Sequence, residues 1–255
     1  MMPRLTVAPV KTSGTLPRWV GYLTKPVLLG LACLALYVYV SGLELDSIEQ
    51  RELNAETITQ RFIEHLQLTA AATVVVVVLA VSAGVLLTRP FARRVSPFLV
   101  NVANIGQGLP SIGVLALLAI FFGLGFRYAL IGLIAYAFLP VLRNTMVGLR
   151  QVESAVIEAG RGMGMSKNAV LFRIELPLAV PIMLAGIRTA LVITIGTATL
   201  ATFIGAGGLG ALIETGISLN RTPVLVTGAV LTSVLALFVD WLAGVAEDIL
   251  RPKGL

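Results

Sequence analysis

The chain is predicted to be an all-α integral membrane protein that crosses the bilayer six times. Hydrophobic residues make up 57% of its 255 residues and charged residues only 13%, and the mean hydropathy is +0.93. A soluble domain of this length could not bury so much apolar surface. A membrane-crossing helix needs about 20 apolar residues. Six stretches meet that need: residues 26–42, 66–87, 98–122, 128–148, 178–204 and 223–246.

The first span follows a basic tail and precedes an acidic loop. No small-residue cleavage site with a soluble domain beyond it follows the apolar run, so we expect a retained membrane helix rather than a cleaved signal peptide. Residues 43–65 carry six acidic residues and end at His65, the only histidine, which we interpret as an interfacial residue. We therefore group residues 1–65 as the tail, first helix and external loop, and residues 66–255 as a five-helix core.

The third span is interrupted by polar residues, glycines and Pro110 in its first half. Irregular backbone at membrane depth is tolerated only where it faces protein or a water-filled path. We therefore expect a broken or kinked helix here. Gln107, Pro110 and Ser111 are candidates for lining a transport path, as is Asn144 in the fourth span.

Basic residues predict the orientation of the bundle. They gather in the two tails, after the second span and around the loop between the fourth and fifth spans: Arg4, Lys11, Arg18, Lys25, Arg89, Arg93, Arg94, Arg143, Arg150, Arg251 and Lys253. By the positive-inside rule, both termini and that loop are cytoplasmic. The net charge of +6 is thus explained by topology and contact with anionic lipid, and we expect no nucleic-acid partner.

The fifth and sixth spans contain polar residues that are costly to place in lipid. Arg188 lies eleven residues after Pro177, about 16 Å along a helix. It is expected to form an ion pair with Asp240, to line the path, or to extend toward the cytoplasmic interface. Thr194 and Thr197 are further path candidates, although threonines in membrane helices often bond to their own preceding turn.

Residues 205–210 match a GxGxxG pattern through Gly205, Gly207, Gly208 and Gly210. The pattern follows a membrane helix and has no βαβ context, so it does not indicate dinucleotide binding. We interpret it as an outer gate or hinge. No GxxxxGK[ST] sequence occurs in the chain, and no metal-ligand pattern stands out.

The cytoplasmic loop between the fourth and fifth spans, about residues 150–177, carries the most specific pattern. Its fixed positions are Glu158, Ala159, Gly160, Gly164, Ile174, Leu176 and Pro177. A short helix from Gln151 should end near Gly164, because glycine tolerates the left-handed turn that closes helices. Ser166 should cap a second helix, and Pro177 should stop it before the next span.

That spacing resembles the EAA loop of permease subunits of binding-protein-dependent ABC importers, with Gly160 where a second alanine is usual. Stretches elsewhere resemble the osmoprotectant branch, whose members carry glycine betaine, choline, carnitine or proline betaine: residues 107–111, 139–145, 160–165, 186–189 and 203–210. The resemblance implies a type I ABC importer permease fold in a prokaryotic cell membrane. The loop would then be the ATPase-coupling loop.

The resemblance also implies the partners. These are a cytoplasmic ATPase dimer that binds ATP and Mg, a second permease subunit in a homo- or heterodimer, and a separate extracytoplasmic substrate-binding protein. We expect no catalytic residue and no cofactor in this chain. An amino-acid or sulfur-compound permease, for example for methionine, is the alternative substrate class. An intramembrane enzyme would need a catalytic pair of residues, which the sequence does not show. A passive channel would need no ATPase contact and would leave the loop unexplained.

Overall fold

The computed structural model describes residues 18–250 of the chain, with side chains described from Tyr22 onward. The tail charges that entered the topology prediction at Arg4, Lys11, Arg251 and Lys253 lie outside these residues. The described helices are, in order, α1 (Arg18–Ser41), α2 (Ser47–Glu52), α3 (Ala55–Thr88), α4 (Ser96–Gly108), α5 (Ser111–Phe122), α6 (Phe126–Arg150), α7 (Ser154–Gly162), α8 (Lys167–Val170), α9 (Leu176–Ala201), α10 (Gly210–Ser218) and α11 (Thr222–Leu250).

The helical membrane fold is confirmed. In the described part of the chain, five helices are long and apolar enough to cross a bilayer, and α4 with α5 makes a sixth span if the bent pair is counted as one. These two helices meet at 94°, which confirms the predicted break in the third span. Pro110 disfavours helical backbone at Leu109, whose ψ of 144° is extended.

The centre of the bundle is formed by α3, α6 and α9, which approach closely because small residues line their contacts. A methyl group added at Gly84, Gly148 or Gly186 would come within 3.0 Å of an atom of the neighbouring helix. Close approach at small residues is how membrane helices gain packing energy, since lipid provides no hydrophobic driving force between them. These glycines allow α6 to pack closely against both α3 and α9.

Two further helices pack around this centre. Helix α11 contacts α9 and α10 through buried apolar side chains such as Ile195, Leu212 and Val224. Helix α1 lies against α11, and none of its described side chains is buried. It is therefore a peripheral helix of the bundle.

The outer end of α3 differs from the sequence prediction. The helix begins at Ala55, eleven residues before the apolar run that predicted it, because Asn54 caps it by accepting a hydrogen bond from Thr57. Its first turns are polar, so a search for apolar stretches misses them. His65 is fully buried within the protein, and its Nε2 lies 3.2 Å from the Ile195 carbonyl oxygen.

Candidate functional site

The candidate functional elements lie at the two ends of α3. Glu64, near one end, contacts the glycine-rich turn at residues 205–210. Arg89, which caps the other end, contacts the loop predicted to be cytoplasmic. The 25 residue steps from Glu64 to Arg89 span about 37 Å of helix, more than the about 30 Å thickness of the hydrocarbon layer. The two elements are therefore placed on opposite sides of a membrane.

The cytoplasmic loop, which we call the coupling loop (residues 150–177), forms two short helices separated by a tight turn. Helix α7 ends at Gly162, and Gly164 follows with a φ of +86°, a left-handed conformation that favours glycine. Ser166 then caps α8 by accepting a hydrogen bond from the Ala169 amide at 3.2 Å. The predicted helix, glycine turn, cap and second helix are all present.

The surroundings of Gly160 explain why glycine replaces the second alanine of the usual motif. It is buried, and a methyl group at this position would lie 2.6 Å from the Ile174 Cδ1 atom. Two motif positions thus pack against each other and hold α7 against the segment that follows α8. Ala159, by contrast, is exposed.

The exposed surface of the coupling loop carries apolar side chains among charged ones such as Glu153, Arg161 and Lys167. Val156, Met163 and Phe172 are exposed by 40%, 77% and 67%, respectively, and Glu158 is exposed on the same loop. Glu158 was predicted from the sequence, whereas Met163 and Phe172 were not, because apolar residues are common around the motif and these two did not stand out. Exposed apolar side chains on a compact element are typical of a protein-binding surface.

Pro177 does not stop the second helix, and this prediction is wrong. The chain continues from α8 through a π-helical turn (Leu171–Glu175) into α9, so that residues Lys167–Ile204 form one candidate span. A proline clashes with the carbonyl four residues earlier in a regular helix, here that of Arg173. The wider π turn just before Pro177 relieves this conflict, and the coupling loop becomes continuous with a membrane helix.

At the opposite end of the bundle, the glycine-rich turn is held by hydrogen bonds. The Gly208 amide donates to a Glu64 carboxylate oxygen at 3.0 Å, and the Thr202 hydroxyl donates to the Gly207 carbonyl at 2.7 Å. Gly205, Gly207 and Gly208 all have positive φ, whereas Gly210 begins α10. The turn borders an open cavity of about 420 Å³, whose lining includes Arg61 and Glu214.

The candidate path residues are placed at several levels of the bundle. Gln107 donates to the Tyr136 carbonyl at 2.7 Å, and Pro110 and Ser111 lie where α4 and α5 meet. Asn144 donates to the carbonyl of Pro140 in its own helix at 2.9 Å.

The two threonines lie on α9. Thr194 is buried and donates to the Ala190 carbonyl at 2.7 Å, while Thr197 is half-buried. The assignment of these residues to a path stays a prediction.

Arg188 pairs with Asp240. Its Nε and Nη2 lie 2.5 and 2.8 Å from the two carboxylate oxygens, and Glu247 lies 3.7 Å from its Nη1. Lys25 of α1 reaches the same Asp240 at 3.4 Å. The cluster joins α1, α9 and α11, and its side chains are partly exposed. Of the three alternatives left open by the sequence, the ion pair is the arrangement observed.

Comparison with known proteins places most of the chain in one family. Residues 76–251 match the family model described as binding-protein-dependent transport system inner membrane component. The chain is 38% identical over 206 residues to the carnitine transport permease protein OpuCD of Listeria monocytogenes, covering 80% of this chain and 92% of that protein. It is 38% identical over 204 residues to the choline transport system permease protein OpuBB of Bacillus subtilis, covering 80% and 93%.

A third relative extends further along the chain. The osmoprotectant import permease protein OsmY of Salmonella typhimurium is 38% identical over 228 residues, covering 89% of this chain and 93% of that protein. Among solved structures, the inward-facing MetNI methionine ABC transporter matches with a TM-score of 0.67 at 23% identity, covering 76% of this chain and 96% of that one. An amino acid ABC transporter matches with a TM-score of 0.64 at 16% identity, covering 81% and 100%.

Proposed function

The chain belongs to the family of binding-protein-dependent transport system inner membrane components, whose model matches residues 76–251, and we propose that it is the membrane-spanning subunit of an ATP-driven importer of a quaternary-amine osmoprotectant. The observation that carries this proposal is the coupling loop. It has the motif spacing of the family, and it forms a compact element joined without a break to the membrane helix α9.

The coupling loop is the surface that binds the ATPase. Its exposed Val156, Met163 and Phe172 supply apolar contact area, and Glu158 supplies one charge that orients the contact. The chain contains no phosphate-binding GxxxxGK[ST] loop, so ATP and Mg are bound by a separate cytoplasmic ATPase dimer. Two permease subunits, identical or related, complete the membrane unit.

Transport follows an alternating-access cycle. Closure of the ATPase dimer on ATP draws the two coupling loops of the permease dimer together. Because α8, the π turn and α9 are continuous, this movement passes directly into the membrane helices. Rocking of the helix bundles then exposes a central path to each side in turn. No bond is made or broken in this chain.

The substrate class is proposed from the relatives that share the higher sequence identity with this chain. Proteins about 38% identical along most of the chain are named for carnitine, choline or osmoprotectant transport. The methionine and amino acid transporters share no more than 23% identity, and their likeness supports the fold alone. A separate extracytoplasmic binding protein would select the quaternary amine, for which aromatic side chains offer cation–π contacts.

A competition experiment tests the substrate class. Cells that express the permease with its ATPase and binding protein take up labelled glycine betaine at high osmolarity, with unlabelled choline, carnitine, proline betaine or methionine as competitors. The proposal predicts uptake that quaternary amines suppress and methionine leaves unchanged. If methionine alone suppressed the uptake, the result would support the alternative that the chain is a permease for amino acids or sulfur compounds.

A further inference from the structure

We propose that the Arg89–Glu175 ion pair is the strut through which the coupling loop moves α3, which makes both residues positioning residues for transport. This inference rests on the proposed function, because it presumes that an ATPase drives the loop. It adds a second route from the loop into the membrane, beside the continuous helix α9. Neither residue belongs to the motif positions that the sequence analysis singled out.

The geometry is that of a rigid contact. The Arg89 Nη2 lies 2.6 Å from one Glu175 carboxylate oxygen and Nη1 lies 3.3 Å from the other. Two parallel N–H to oxygen bonds of this kind fix direction as well as distance. Arg89 is also held at its own end, since Nε donates to the Val85 carbonyl and Nη2 to the Thr88 hydroxyl, each at 3.2 Å.

The pair is well shielded from solvent. The Glu175 side chain is 9% exposed and that of Arg89 is 26% exposed. Among the described residues, no other ion pair joins the coupling loop to a membrane helix. The guanidinium also caps the carboxyl end of α3, where a cation is favoured by the helix dipole. A movement of Glu175 toward or away from the bundle axis therefore acts on the end of α3.

The local backbone at Glu175 points to a functional role. Glu175 is the last residue of the π turn (Leu171–Glu175), and such turns occur often at functional sites. The turn is the junction between the coupling loop and α9, so the ion pair holds α3 at the point where the loop enters the membrane. Fold stability alone does not require a charged pair here, because an apolar pair of similar volume often stabilises a protein equally well.

The opposite end of α3 contacts the glycine-rich turn. Glu64 accepts a hydrogen bond from the Gly208 amide at 3.0 Å, and Gly207 and Gly208 have left-handed φ values of +74° and +86°. Helix α3 thus connects the coupling loop, through Arg89 and Glu175, to the glycine-rich turn on the other side of the membrane. Movement of the ATPase reaches the outer turn without passing through the α6 and α9 contact.

The test measures transport per ATP hydrolysed. The complete complex of permease, ATPase and binding protein is placed in proteoliposomes, and uptake of labelled glycine betaine is divided by ATP hydrolysis. Glu175→Gln keeps the shape and removes the charge. Arg89→Met with Glu175→Met replaces the pair by apolar residues, and Arg89→Glu with Glu175→Arg exchanges the charges. Arg94→Gln is the matched control, because Arg94 is exposed in the same connection between α3 and α4 and has no ion-pair partner among the described residues.

If the ion pair couples the loop to α3, complexes that carry the altered pair should assemble and hydrolyse ATP but transport little substrate. For Glu175→Gln and for the double methionine variant, transport per ATP should fall at least about fivefold, the lower range of allosteric coupling. The exchanged pair should recover part of this loss, and Arg94→Gln should keep the wild-type ratio. A merely structural pair would instead change the amount of complex and leave the ratio unaltered.

Two results would overturn the inference. One is a double methionine variant that assembles and transports with the wild-type ratio. The other is a double methionine variant that fails to assemble, because the pair would then serve folding rather than positioning. Either result leaves the proposed function intact as long as the wild-type complex transports glycine betaine with ATP. Absence of wild-type transport would instead count against the proposed function.

Discussion

Gly186 lies where α9 packs closely against α6, and its replacement by alanine tests the packing on which the bundle depends. An added methyl group would lie 2.5 Å from the Asn144 Cβ atom and 2.8 Å from the Pro140 carbonyl oxygen. Both are close to the helix backbone, so neither can move away cheaply. Gly196, ten residues further along the same helix, has open space at the same point, with no atom within 4 Å. It is the matched control.

The difference between the two variants isolates the packing energy. Each substitution gains the same helix propensity, about 0.8–1 kcal/mol, and this gain cancels in the comparison. Overpacking at Gly186 costs about 1–3 kcal/mol. At about 3 °C per kcal/mol for a chain of this size, Gly186→Ala should unfold about 3–9 °C below Gly196→Ala.

The assay is thermal unfolding of the purified permease in one detergent, followed by the loss of the folded peak in size-exclusion chromatography. Both variants are prepared at equal protein concentration. Equal midpoints for Gly186→Ala and Gly196→Ala would refute the close approach of α6 and α9. A lower midpoint for Gly196→Ala would show that its open face is occupied in the folded protein.

Three further predictions concern the loop, the topology and the ion cluster. Glu158→Lys should abolish uptake and leave membrane insertion unchanged, because it reverses a charge on an exposed contact surface outside the bilayer. Normal uptake at normal expression would show that Glu158 does not contact the ATPase. In a background without the native cysteine, Ser218→Cys should react with an impermeant thiol reagent added to intact cells, and Lys167→Cys should not. Labelling at Lys167 would contradict the predicted orientation of the bundle. Arg188→Ala should lower the free energy of unfolding by less than the about 3–5 kcal/mol of a broken buried pair, because Asp240 keeps a lysine partner at 3.4 Å; thermal unfolding in detergent measures the loss, and a loss of about 3–5 kcal/mol would show that the lysine does not compensate.

Much of the membrane topology was predictable, because a span depends on the length of an apolar run and on local breakers. Pro110 located the break between α4 and α5 by excluding helical backbone before it. The start of α3 at Ala55 was not predictable from hydropathy, since its first turns are polar and are fixed by the cap at Asn54. The continuation of the helix through Pro177 was missed for a different reason. It depends on a π turn, which has no strong sequence signature.

The candidate site was predictable where its geometry is local. The left-handed turn at Gly164 and the cap at Ser166 follow from residue types at fixed spacing. The Arg89–Glu175 pair was not predictable, because its partners are 86 residues apart and several arginines were equally available to any acid. The inward packing of Gly160 against Ile174 also required the tertiary structure.

The most direct test of the account is ATP-dependent uptake by a reconstituted complex. Affinity purification of the tagged permease from its native membrane should bring the ATPase with it. In proteoliposomes that hold this complex, labelled glycine betaine should accumulate when ATP and Mg are supplied on the coupling-loop side with the binding protein on the other. It should not accumulate with a non-hydrolysable ATP analogue. Uptake that proceeds equally without ATP hydrolysis would contradict the account and identify the chain as a passive channel.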